Sequence, residues 1–197
     1  MLGMLGAESE VGTLTRNRNG VTDRGMNRIV SHRPAERSWN ASWIWHPDGA
    51  GKNNFYVYAR REWKLDVKPE ALTAFITASA LYKLYVNGRY VGTGPNPSDP
   101  SRYYYDVRDV TELFVEGDNC IAVVAYMYDE ESPAILKQNW GPGGLLMELC
   151  DGNGKPVLVT DASWRMIPAP PWDTSTAINC PLLGDYIAQR ILGHDMD

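Results

Sequence analysis

The sequence predicts an all-β domain: a β-sandwich or jelly roll of about nine or ten short antiparallel strands. Three observations predict it. Apolar and polar residues alternate in short runs with the period of a strand. Clusters of Gly, Pro, Asn and Asp break those runs at short intervals. Helical periodicity is almost absent. At 197 residues the chain is long enough for one domain with tails and a real core.

The first 38 residues are polar, rich in Gly, Arg, Asn and Ser, and show no period. They read as a disordered or loosely attached tail, with order beginning near Trp39. Ala41 to Trp45 reads as a first strand, ended by His46-Pro47-Asp48-Gly49. In Phe55 to Leu65, the residues Phe55, Val57, Ala59, Trp63 and Leu65 share one face, interrupted by Arg61. Ala71 to Ser79 is a further strand. Leu81 to Val91 is a hairpin, because Asn87-Gly88 is the strongest short hairpin signal, both residues tolerating positive φ. A two-residue loop sets Val86 opposite Arg89, Tyr85 opposite Tyr90 and Leu84 opposite Val91. Gly94 to Pro100 carries three prolines and is a stiff loop. Tyr103 to Val107 is the next strand and residues 111–114 a short helical turn. Cys120 to Tyr128 reads as a strand buried on both faces. Leu145 to Cys150 and Val157 to Thr160 form a hairpin across Asp151-Gly152-Asn153-Gly154. Ser163 to Ile167 is the last strand. The domain spans residues 39–189, and 190–197 form a tail or a truncated linker.

Composition excludes several classes. Net charge is −5, with no run of Lys or Arg, so no nucleic-acid footprint is expected. No apolar run is long enough for a membrane span. The first residues lack a basic n-region and a continuous apolar h-region, so no signal peptide is evident and a cytoplasmic setting is favoured. The three cysteines, Cys120, Cys150 and Cys180, fit neither a zinc spacing nor a disulfide framework; Cys120 and Cys150 read as small buried hydrophobes.

One long ordered series of motifs carries a resemblance. YKLYVNGRYVGTGPNPSDPSRYYYDVRDVTELFVEGDNCIAV contains a Val-Asn-Gly hairpin, Gly-x-Gly-Pro, a Tyr-Asp strand, Asp-Val-Thr-x-Leu and a Gly-x-Asn turn into an apolar strand. Gly143-Gly144-Leu145-Leu146 and residues 160–165 extend it. The series resembles the N-terminal β-sandwich, galactose-binding-like, of bacterial α-L-rhamnosidase-type glycoside hydrolases. The resemblance covers about Trp39 to Gln189. It implies that catalytic carboxylates lie in a helical (α/α) barrel outside these residues. One feature departs from the family: Arg190 to Asp195 does not match its usual Tyr-Asp-Ala-Arg motif.

The candidate sites follow. Glycoside cleavage needs two carboxyl groups facing each other across a cleft. The acidic residues Asp99, Asp106, Asp109, Asp151 and Asp161 and the group Asp129-Glu130-Glu131 fall in or beside turns and read as solvated charge or backbone caps. No G-x-S-x-G elbow occurs. Gly88 to Gly94 is glycine-spaced but opens no helix, so it is no dinucleotide loop. His46 reads as structural. Sugar binding on a sandwich needs aromatic rings that take the apolar face of a pyranose. Trp140 and Trp172 are the tryptophans expected on loops, and Tyr85 and Tyr90 share the less apolar hairpin face. Trp43, Trp45, Trp63 and Trp164 read as core. Asp99, Asp118 and Asn119 are oxygen-rich turn positions that could serve a Ca²⁺ ion; no other cofactor is expected. The resulting expectation is a non-catalytic accessory module whose partner is a catalytic barrel domain or a rhamnose-containing glycan. The alternatives are a freestanding lectin-like module and a small glycosidase with loop carboxylates.

Overall fold

The computed structural model describes residues 30–32, 37–52, 54–98, 103–128, 141–169, 172–173, 177–180, 184–187 and 190–191. For the first segment and the last four, only the backbone is described. The strands are β1 (Val30–His32), β2 (Phe55–Leu65), β3 (Leu72–Ala78), β4 (Leu81–Val86), β5 (Arg89–Gly94), β6 (Tyr105–Asp109) and β7 (Gly117–Met127). They continue with β8 (Leu145–Asp151), β9 (Pro156–Val159), β10 (Arg165–Pro168), β11 (Trp172–Asp173), β12 (Ala177–Cys180), β13 (Gly184–Ile187) and β14 (Arg190–Ile191). Two five-stranded antiparallel sheets result, one in the order β1-β6-β3-β8-β9 and the other β10-β2-β7-β4-β5. Two small ladders, β11 with β14 and β12 with β13, follow. The expected sandwich is therefore the observed architecture.

Period-two alternation places the core. Leu72, Ala74 and Ile76 of β3 and Leu145, Met147 and Leu149 of β8 face Val57 and Ala59 of β2, Leu84 and Val86 of β4, and Ile121 and Val123 of β7. Trp63 closes one end edge-on against Phe114, with ring centroids 5.7 Å apart. β8 is buried on both faces over its first six residues. β7, expected to be buried throughout, instead alternates and is buried on both faces only over its last three residues. There Tyr126 stacks on Tyr56 at 4.3 Å on the outer face of the second sheet.

The Asn87-Gly88 turn has φ of 50° and 76°, as the hairpin requires. Its strands are not in simple register. Tyr85 faces Tyr90, but Leu84 faces Gly92, because a bulge falls between Leu84 and Tyr85. The extra residue on β5 is Val91, which packs against the core without a direct partner across the ladder.

One expectation near the start of the domain needs correction, and two short pairings lie beyond its expected bounds. The strand expected over Ala41 to Trp45 is reduced to a single bridge, Ile44 with Leu145. Thr160 takes up Ser42 instead: its carbonyl accepts from the Ser42 amide and its hydroxyl donates to the Ser42 carbonyl. Order also reaches back before Trp39, since Val30–His32 pairs with β6. Arg190–Ile191, expected in a tail, pairs with Trp172–Asp173.

Candidate functional site

Two carboxylates are fully buried among the described residues, and both are committed to structure. Glu148 stands in the apolar run of β8. Arg37 meets its Oε2 from Nη2 at 2.5 Å and from Nε at 3.1 Å. The amides of Asn40 and Ala41 donate to Oε1. The Arg37 guanidinium also lies over the Phe75 ring, 3.7 Å from its centroid. Residues 37–41 are thereby strapped across the outer face of the first sheet. The same guanidinium donates to the Cys150 sulfur at 3.2 Å. Burial pushes the Cys150 thiol up, partly opposed by Arg37.

Asp106 lies inside the sandwich. It accepts from the Tyr82 hydroxyl and, at 3.4 Å, from Arg108. Arg108 also donates to the Thr93 carbonyl at 2.8 Å, fastening β5 to the first sheet. Burial, reinforced by Asp106, pushes the Tyr82 phenol far up. Asp106 pairs across the ladder with Ile76, and Glu148 with Phe75. Ile76 and Phe75 are consecutive on β3, so the two carboxylates point to opposite faces of one sheet.

The turn residues are spent on the backbone as well. Asp109 accepts from the Thr111 amide and hydroxyl, and Asp151 from the amides of Asn153 and Lys155. His46 Nδ1 accepts from the Asp48 amide at the start of a 3-10 turn over Pro47–Gly49. Asn119, a Ca²⁺ candidate from the sequence, is 3 % exposed. Its Oδ1 accepts from Val115 and Asn87, and its Nδ2 donates to the carbonyls of Val115 and Gly117. Those four bonds use the whole capacity of a carboxamide, so Asn119 has no lone pair left for a cation. Asp118 is exposed at the start of β7. Among the described residues no three metal-ligating side chains gather.

Of the proposed sugar platforms, Tyr85 and Tyr90 do meet, with ring centroids 5.5 Å apart on the outer face of the second sheet. Trp140 and Asp99 lie outside the described residues, as does the side chain of Trp172. A different aromatic group lines an open groove of about 640 Å³. Trp43, Trp45 and Trp164 form its apolar part, and Ser42, His46 and Asp161 its polar part. Trp164 is buried, as expected of a core residue, and its indole donates to the Val159 carbonyl. Trp43 is 46 % exposed, against expectation. Both indoles pack closely on glycine: a Cβ on Gly144 would collide with the Trp43 ring, and one on Gly143 with Trp45. Tyr103 flanks Trp43, with ring centroids 5.6 Å apart. Hydrogen bonds from Ser163 hold the Asp161 carboxyl below the usual carboxylate range.

Fold and site together define an antiparallel β-sandwich whose buried acids are structural and whose surface carries a tryptophan-lined groove. A family profile described as the α-L-rhamnosidase N-terminal domain matches residues 67–177. The chain belongs to that family. Among solved structures, it is similar to a GH78 family rhamnosidase of Bacillus sp. GL1, at 30% identity and a TM-score of 0.62 over 72% of this chain and 15% of that one. It is also similar to the α-L-rhamnosidase from Dictyoglumus thermophilum, at 18% identity and a TM-score of 0.51 over 75% of this chain and 16% of that one. A third similar structure is the Streptomyces avermitilis α-L-rhamnosidase complexed with L-rhamnose, at 21% identity and a TM-score of 0.50 over 85% of this chain and 16% of that one. The last two show the fold alone. This chain thus spans about one sixth of the length of the rhamnosidases it matches. No curated protein matches it closely.

Proposed function

We propose that this domain is a non-catalytic accessory module of an α-L-rhamnosidase, packing on a catalytic domain or presenting carbohydrate to it. The observation that carries the reading is the placement of Asp106 and Glu148. A glycosidase needs two carboxyl groups facing one cleft, roughly 5–10 Å apart depending on mechanism. The two buried carboxylates described here point to opposite faces of one sheet, and each already has an arginine partner. The family membership and the small share of each relative that the chain spans point the same way.

A packing surface is also at hand. Ile167 and Tyr90 are each more than half exposed. Ile167, Tyr58 and Val124 pair directly across the outer face of the second sheet, with Lys83 next to Val124, and the Tyr85–Tyr90 pair lies on the same face one row along. A face carrying exposed Ile and Tyr side chains among Lys and Arg suits docking against another domain.

The test is an assay of the purified chain on a nitrophenyl α-L-rhamnoside. The expected result is no release above background. Release that disappears on replacing a single Asp or Glu would overturn the reading and establish a small glycosidase.

A further inference from the structure

We infer that the groove at Trp43 is a binding site for a neutral pyranoside, with the Trp43 indole as its stacking platform. This deepens the carbohydrate-presenting half of the function proposed above. The Trp43 ring packs closely against Gly144, and Tyr103 lies beside it with the ring planes 52° apart. Trp43 is nonetheless 46 % exposed, so part of its surface is open to solvent. A part-exposed indole already in contact with backbone and a second ring is a ready surface for the C–H face of a sugar, because those contacts limit the freedom it loses on binding.

The groove's polar residues complete the chemistry. Asp161 Oδ1 is held by the Ser163 amide and hydroxyl. The turn therefore fixes the carboxylate in place while its Oδ2 remains to accept from hydroxyl groups. His46 Nδ1 accepts from the Asp48 amide, which puts the proton of the neutral ring on Nε2 and makes that nitrogen a donor. Ser42, held by its backbone to Thr160, adds a hydroxyl that can do either. An acceptor, a donor and an ambivalent hydroxyl around an indole match a polyol with one apolar face. They suit a phosphate poorly, since the one fixed charge in the lining is negative. The volume of about 640 Å³ lies in the range of small-molecule clefts.

The experiment titrates the full chain with methyl α-L-rhamnopyranoside and, separately, methyl β-D-galactopyranoside. Tryptophan fluorescence and amide chemical shifts are followed. Saturable changes centred on residues 42–46 and 161–164 are expected with at least one of the two. Trp43→Ala should weaken that binding about tenfold or more. Asp161→Asn keeps the Oδ1 acceptor for Ser163 and should also weaken binding, with the fold intact. Tyr90→Ala should leave it unchanged. No saturable response to either sugar, or binding indifferent to both Trp43→Ala and Asp161→Asn, would overturn the inference. Either result leaves the non-catalytic reading standing, because that reading fails only on rhamnoside hydrolysis.

Discussion

The carboxamide of Asn87 donates to Asn119 Oδ1 at 2.8 Å, joining the tip of the β4–β5 hairpin to the start of β7. Asn87 Nδ2 also donates to the Leu113 carbonyl, and its Oδ1 accepts from the Cys120 amide. One side chain therefore extends the β4–β7 ladder past the end of the strand. Asn87→Gly keeps the positive φ and removes these bonds. It should lower unfolding stability by about 2–3 kcal/mol, because buried groups lose their partners. The urea midpoint measures this, and a stability equal to the parent's would show that the turn conformation alone matters.

Arg37 and Glu148 lie 111 residues apart in sequence. Removing the arginine leaves a fully buried carboxylate without its cation, so Arg37→Ala should cost about 3–5 kcal/mol. The double substitution Arg37→Met, Glu148→Leu should recover most of that loss, since no buried charge remains to be paired. Equilibrium unfolding of the singles and the double gives the comparison; a double as unstable as Arg37→Ala would count against the argument.

Gly144→Ala would put a methyl group into the Trp43 ring. The ring must shift or the backbone must give, at about 1–3 kcal/mol. Tryptophan emission should change along with stability. The same substitution at Gly152, where an added Cβ meets only the Ala71 methyl at 3.4 Å, should be mild.

Stability should fall at alkaline pH. Burial pushes the phenols of Tyr56 and Tyr82 and the thiol of Cys150 upward. The fold therefore holds these protons at pH values where the unfolded chain releases them. The contribution is full below the unfolded values, roughly 8.5 for Cys and 10 for Tyr, and is lost as pH rises through the higher folded values. Unfolding midpoints should decline from about pH 9 upward, and Tyr82→Phe should flatten part of that decline. A midpoint that holds steady to pH 11 would contradict this.

The parts of the fold that could be read in the sequence were set by local chemistry. Asn87-Gly88 fixed its hairpin because two positive-φ residues leave few other turns. The alternation from Phe55 to Leu65 marked its buried face correctly. The bulge that displaces Val91 from Leu84 carries no local marker, since Gly92 lies opposite Leu84 only once the hairpin is paired. Glu148 was overlooked as a lone acid in LLMELC; a charge inside an all-buried strand implies a distant cation, but nothing nearby names Arg37. Trp43 was assigned to the core because it alternates like a strand residue. Its close neighbour is Gly144, far along the chain, and nothing local to Trp43 names that contact. Tyr85 and Tyr90, which the hairpin pattern puts on one face, do meet there, and they lie outside the groove.

The short pairing of Val30–His32 with β6 occupies the outermost position of the first sheet. A shortened protein beginning at Trp39, the boundary that composition suggests, would strip that pairing and leave unmatched the amides and carbonyls of β6 that face β1. Bare strand flanks of this kind recruit other chains. Such a protein, also lacking Arg37, would self-associate as its concentration rises, while the chain that keeps Val30–His32 carries its own shield.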